Sequence, residues 1–143
     1  MSNEFRGTGN LGASPSLKYA QVKGESKPVL ELRIFFDNYR PTGNGDFEQT
    51  GGFWLNTSLW GDRAEHASRI LRKGARVHVY GRLVEQEWES KETGELRKGM
   101  HLNADELFVS LSRIDEIVFK PAREPGGATD TGPSEDVGDE AVY

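Results

Sequence analysis

Residues 29–36 read Val-Leu-Glu-Leu-Arg-Ile-Phe-Phe, an alternation that puts Leu30, Leu32, Ile34 and Phe36 on one face and Glu31, Arg33 and Phe35 on the other. A period of two marks a half-buried strand. Residues 53–60 alternate in the same way, with Phe53, Leu55, Thr57 and Leu59 as the expected core face and Trp54, Asn56, Ser58 and Trp60 opposite. In residues 76–88 the expected core face is Val77, Val79, Gly81 and Leu83, and Arg76, His78, Tyr80, Arg82 and Trp88 fall on the other side. A further strand is predicted over residues 100–111, bulged near Asp105-Glu106 where the apolar parity shifts. Residues 114–119 read as a short closing strand. Residues 40–52, rich in Gly, Pro and Asn, and residues 89–99, which contain Thr93-Gly94, read as loops. The first strand, Phe5-Arg6-Gly7-Thr8-Gly9, is poor in β-branched residues.

One helix interrupts the strands. Asp62 is a good N-cap, Glu65 stands three residues later at capping-box spacing, and Ala64, Ala67 and Leu71 form a narrow apolar stripe. Arg72 and Lys73 sit in the expected last turn, and Gly74 suits the position just past the end. The order is three strands, a helix, then two strands. That order predicts an all-β fold, a five-stranded OB-type barrel with one short helix between strands 3 and 4.

Composition divides the 143 residues into a body and a tail. From about Pro121 onward Gly, Pro, Thr, Asp and Glu replace the aromatics and aliphatics, and such a segment buries too little apolar surface to offset its ordering entropy. Residues 1–119 are expected to fold as one domain and residues 120–143 to form a disordered acidic tail. The tail holds two basic and six acidic side chains, net −4, so the whole-chain charge of −5 leaves the body at −1. The chain has no cysteine, which excludes disulfides and thiolate metal sites. No apolar run reaches membrane-span length and the polar start is not a signal peptide, so a cytoplasmic, nucleoid-associated location is expected.

The informative residues are large aromatics on polar faces. Trp54, Trp60 and Trp88 project beside Asn, Ser, Arg and His, and Tyr39 shares parity with Glu31 and Arg33. Exposed aromatics burden solubility unless something uses them. Either a helix or a partner subunit covers this face, or nucleobases stack on it, each stack being worth about 1–3 kcal/mol. Four aromatics beside cationic side chains favour stacking. Arg82 on the same face and Arg40 beside Tyr39 are cationic candidates for contacts with a nucleic acid.

The run Gly9-Asn10-Leu11-Gly12-x-x-Pro15, then Trp54, Leu59-Trp60-Gly61, Ala64-Glu65, Leu71-Arg72-Lys73-Gly74, Val77-His78-Val79-Tyr80-Gly81-Arg82-Leu83 and Trp88, resembles the bacterial single-stranded DNA-binding proteins over residues 5–111. The resemblance implies base stacking at Trp54, Trp60 and Trp88, with Tyr39 matching in pattern only, and a phosphate contact at Lys73. It also implies a homotetramer acting in DNA replication, recombination or repair. A tail tip that docks on partner proteins is implied too, here Asp139, Glu140, Val142 and Tyr143. The chain departs from the family in several places. Ser14 stands where an Asp is usual, Asp62 follows Trp60-Gly61, and Glu85 and Glu87 stand where basic residues are common. The end Asp139-Glu140-Ala141-Val142-Tyr143 replaces the family's Ile-Pro-Phe closure, which leaves a docking tip and a merely solvating tail both open.

Two motifs carry no chemistry. Gly7-x-Gly9-x-x-Gly12 fits a dinucleotide fingerprint, but that mechanism needs a strand before it and a helix after it, and Ser14-Pro15-Ser16 follows. His66, His78 and His101 lack the spacing of a metal site; His66 is expected on the helix surface and His78 on the binding face. No nucleophile with a base and an orienting group can be assembled, and no metal or cofactor is implied. The leading function is non-enzymatic, sequence-tolerant binding and protection of single-stranded DNA. The alternative is a primosome-type or other OB adaptor whose main ligand is a protein.

Overall fold

The computed structural model describes residues 3–122. Six strands and one helix follow in the order β1 (Asn3–Leu11), β2 (Ser16–Val22), β3 (Glu25–Pro41), β4 (Phe47–Trp60), α1 (Asp62–Ile70), β5 (Arg76–Glu89) and β6 (Leu96–Val109). β1 and β2 are two pieces of one edge, parted at Gly12–Pro15, and both pair antiparallel with β3. The barrel closes through β1–β5, β5–β6, a short parallel contact of β6 with β4 at Asn56–Ser58, and β4–β3. This is the expected five-stranded OB barrel, its first strand interrupted, with the helix between its third and fourth strands.

The expected core faces are the inner faces. Leu30, Leu32, Ile34, Phe36, Leu55, Leu59, Val77, Val79 and Leu102 are buried together with Ala64, Ala67 and Leu71 of α1 and its end. Phe53 departs from expectation. It keeps the inward parity but sits at the rim, 45% exposed, with its ring 5.9 Å from that of Phe36 and 6.2 Å from that of Phe5. The bulge near Asp105 is present: Tyr80 pairs with Glu106 and Gly81 with Ala104, leaving Asp105 as the extra residue. Gly81 lies so close to the Asn103 carbonyl that any side chain there would force the strands apart.

Local signals misplace several boundaries. The helix N-cap is Gly61, and Asp62 is the first helical residue, making no side-chain cap bond. Glu65 is instead engaged across the fold, where Tyr19 Oη donates to it at 2.5 Å, and this raises the Tyr19 pKa. The helix ends at Ile70 with Leu71 already extended, so Gly74 caps nothing and turns the chain into β5, its N–H donating to the Leu11 carbonyl. The loops expected at 40–52 and 89–99 are mostly strand. β3–β4 and β5–β6 run on beyond the barrel as two long hairpin arms, turning at residues 42–46 and 90–95. Paired backbone in these polar arms satisfies its own hydrogen bonds, which overrides their weak strand propensity. Residues 114–119 form no strand. The compact unit of the barrel ends at Arg113, after a single 3-10 turn at Leu111–Arg113.

Candidate nucleic-acid interface

Antiparallel partners point to the same side of a sheet, so the register defines one outer face across β3, β4, β6 and β5. It carries Glu31, Arg33, Phe35 and Tyr39 from β3, and Trp54, Asn56, Ser58 and Trp60 from β4. β6 contributes Arg97, Gly99, His101 and Asn103, and β5 contributes Arg82, Val84, Gln86 and Trp88. Trp54, Trp60, Trp88 and Tyr39 are 46%, 41%, 49% and 52% exposed. Along β4 the two tryptophans stand about 20 Å apart at 3.3 Å per residue, with polar residues between them.

Two of these indoles are held in place by glycine. A Cβ at Gly12 would fall 2.5 Å from the Trp54 ring, and one at Gly99 would fall 2.9 Å from the Trp88 ring. Each indole therefore lies across bare backbone, a cross-strand covering of glycine by an aromatic. Phe35 flanks Trp54 at 5.1 Å between centroids, and the Arg33 guanidinium stacks on the same indole at 5.1 Å. Trp60 ends β4, directly opposite Val29 and next to the Gly61 that starts the turn into α1.

Between the tryptophans lies an open groove of about 420 Å³, whose wall includes Glu31, Arg33, Asn56, Gln86 and His101. Arg33 donates to Asn56 Oδ1 at 3.0 Å, and His101 Nε2 meets Ser58 Oγ at 2.8 Å. Burial pushes the His101 pKa below its ordinary value, with nearby Glu31 acting in the opposite direction. The imidazole is therefore neutral at physiological pH, and Arg33 is the groove's cation.

The expected cationic contacts are not equally placed. Arg82 is on the face, although it donates to Asp105 at 3.2 Å. Lys73 lies at the turn before Gly74, which bonds to Leu11 beside the Gly12 that supports Trp54. Arg40 alternates away from Tyr39 and pairs with Glu48 at 3.3 Å. His78 is also off this face. Its Nδ1 meets Thr8 Oγ1 at 2.7 Å on the separate outer surface of β1 and β5. Glu85 and Glu87 alternate to the side opposite Trp88, and Glu87 pairs with Lys98 at 3.7 Å. Arg97, directly across from Trp88, was hidden by reading residues 89–99 as a loop; the Thr93-Gly94 turn, centred more tightly, would have exposed the alternation around it. Asp139, Glu140, Val142 and Tyr143 lie outside the described residues.

Among the described residues no helix is long and apolar enough to cross a membrane, and no cluster of His, Asp and Glu could hold a metal ion. The profile described as "Single-strand binding protein family" matches residues 3–110. The chain belongs to the single-strand binding protein family. Among curated relatives, the single-stranded DNA-binding protein of Paenarthrobacter aurescens is 43% identical over 115 residues, covering 80% of this chain and 66% of that protein. That of Mycobacterium tuberculosis is 28% identical over 128 residues, covering 88% of this chain and 75% of the relative. Among solved structures, the small single-stranded DNA-binding protein of Streptomyces coelicolor superposes with a TM-score of 0.63 at 18% identity, over 79% of this chain and 98% of that one. At that identity the superposition speaks for the fold.

Proposed function

We propose that this member of the single-strand binding protein family binds and protects single-stranded DNA without strong sequence dependence, in replication, recombination or repair. The carrying observation is the single outer face on which Trp54, Trp60 and Trp88 stand exposed around a polar groove. Bases stack on the indoles, and Arg33, Lys73, Arg82 and Arg97 are positioned for the phosphates. Titrating the intrinsic tryptophan fluorescence with oligo(dT) tests the reading. Strong quenching at micromolar protein supports it, and negligible quenching favours the protein-binding adaptor.

The same titration, repeated across salt concentrations, measures the phosphate share. Counterion release on single strands gives a slope of about −0.7 per neutralised phosphate. With four cations proposed for the phosphates, one of them paired with Asp105, log K is expected to fall with log salt at a slope of about −3. Since Glu85 and Glu87 point away, the shallow slope reflects few cations and not local repulsion. A slope near −6 would place phosphates on other surfaces.

The chain is further proposed to form a homo-oligomer through the outer surface of β1, β5 and β6. There Arg6 stacks on Tyr80 at 4.8 Å, Tyr80 meets Phe108 edge-on at 5.8 Å, and both rings are exposed. Residues 3–8 of β1 pair only with β5, leaving their other edge open to a second strand. Sedimentation of Tyr80→Asp should show a smaller species than the parent chain. Unchanged size would remove this surface from the assembly.

Residues 1–119 are proposed as the DNA-binding domain and residues 120–143 as an acidic tail whose Val142-Tyr143 end docks on partner proteins. The tail's net charge of −4 would also compete with phosphate for the groove. Deleting residues 121–143 should tighten oligo(dT) binding by about two- to threefold at low salt, and screening should erase the gain near physiological ionic strength. Equal affinities at low salt would leave the tail no role at the DNA face.

A further inference from the structure

Glu31 is out of place on a surface that receives phosphates. It lies on the outer face of β3, between Val29 and Arg33, at the edge of the groove that separates Trp54 from Trp60. Two residues apart on one strand face, Glu31 and Arg33 have backbone positions about 6.6 Å apart. Both side chains have capacity left. Arg33 uses Nη1 on Asn56 and is steadied against Trp54, while Nη2 and Nε bond to nothing among the described residues. Glu31 accepts from Lys18 through Oε1 at 3.1 Å, and Oε2 has no partner among the described residues. The groove thus offers a fork of donors beside a carboxylate, with the amides of Asn56 and Gln86 near by.

In an unpaired strand both polar edges of a base are open to a protein. A guanidinium fork takes two adjacent acceptors and a carboxylate takes two adjacent donors. Walking round each base, thymine gives acceptor, donor, acceptor, and cytosine and adenine each give a single donor group among acceptors. Guanine alone presents two neighbouring acceptors, N7 and O6, followed directly by two neighbouring donors, N1–H and N2–H2. Guanidinium on guanine O6 and N7 is also the commonest specific base contact in protein–DNA recognition.

We infer that the groove is a guanine subsite, in which Arg33 donates to O6 and N7 and Glu31 accepts from N1–H and N2–H2. The inference rests on the single-stranded DNA reading above and adds a base preference to it. The neutral His101, held by Ser58, leaves Arg33 as the one charge facing the acceptor edge. Where the base is thymine, stacking continues and the Arg33 fork is left to a phosphate, so binding remains tolerant of sequence while favouring guanine.

The test uses the full chain and three oligomers of equal length: all dT, dT with one central dG, and dT with one central deoxyinosine, which lacks the N2 amino group. The dG oligomer should bind about fivefold tighter than all-dT, with deoxyinosine between them. The readout is the ratio of dG to dT affinity, so a general change in binding cancels. Glu31→Gln and Arg33→Lys should each bring that ratio below about two. A ratio of one in the parent chain, or an undiminished ratio in both variants, overturns the subsite while leaving single-strand binding intact. Failure of every oligomer to bind overturns both readings.

Discussion

Replacing Trp54 or Trp88 with alanine is expected to weaken oligo(dT) binding by about 1–3 kcal/mol each, and Trp60→Ala by an amount at the lower end of that range. Fluorescence or anisotropy titration of the purified variants measures this. All three side chains are 41–49% exposed and lie outside the buried cluster, so truncation opens no cavity and the melting temperature should stay within a few degrees. Trp54 and Trp88 should show the larger losses. Each is pinned over a glycine, so its ring is preorganised, and less side-chain entropy is lost when a base stacks on it. Trp60 has no such glycine beneath it. A variant that melts much earlier while retaining affinity would show that its indole serves the fold. Full affinity in the double variant Trp54→Ala/Trp88→Ala would remove this face from DNA binding altogether.

The fold was largely legible because its interior obeys strict alternation. Leu30, Leu32, Ile34 and Phe36, then Leu55 and Leu59, then Val77, Val79 and Leu83 point inward as the pattern requires. The tryptophans were legible for the complementary reason: a large aromatic on polar parity is conspicuous. What escaped notice lies where stability comes from long-range pairing. The polar ends of β3, β4, β5 and β6 have little propensity of their own and exist as strands because a partner strand accepts their hydrogen bonds. Arg97 was lost in one such segment. Ser16–Val22 has mixed burial and no clean alternation, and only its pairing with β3 makes it a strand. Gly61 took the cap position from Asp62 because the backbone there has a positive φ of 94°, and Glu65 found Tyr19, 46 residues away, instead of a local amide. Parity alone also could not divide β5. Residues 76–83 pair with β1 and the rest reach past it, so His78 and Trp88 share parity but serve different surfaces.

Breaking the ion pair between Arg76 and Asp37 should destabilise the barrel more than any surface change considered above. Arg76 Nη1 and Nη2 donate to the two Asp37 carboxylate oxygens at 2.8 and 3.1 Å, and Nη1 also meets Asn10 Oδ1 at 2.6 Å. One guanidinium thus joins β5, β3 and β1 where the barrel closes. The hydrogen bonds that Arg76 donates to Asp37 raise the Arg76 pKa, and the Asp37 side chain is only 9% exposed against 21% for Arg76. Removing one partner of a buried pair strands the other charge in a poorly solvated place, at about 3–5 kcal/mol when burial is complete. With Arg76 partly wet, Asp37→Ala should lose about 2–3 kcal/mol, which for a domain of this size lowers the melting temperature by about 10 °C. The double variant Asp37→Ala/Arg76→Met leaves no stranded charge and keeps the apolar stem, so it should melt above Asp37→Ala. The decisive comparison is between those two melts. If Asp37→Ala melts within about 3 °C of the parent chain, the closure is carried by backbone pairing alone. If the double variant melts lower than the single one, the bond from Arg76 to Asn10, which methionine cannot make, holds the strands together and a stranded charge is not what Asp37→Ala costs.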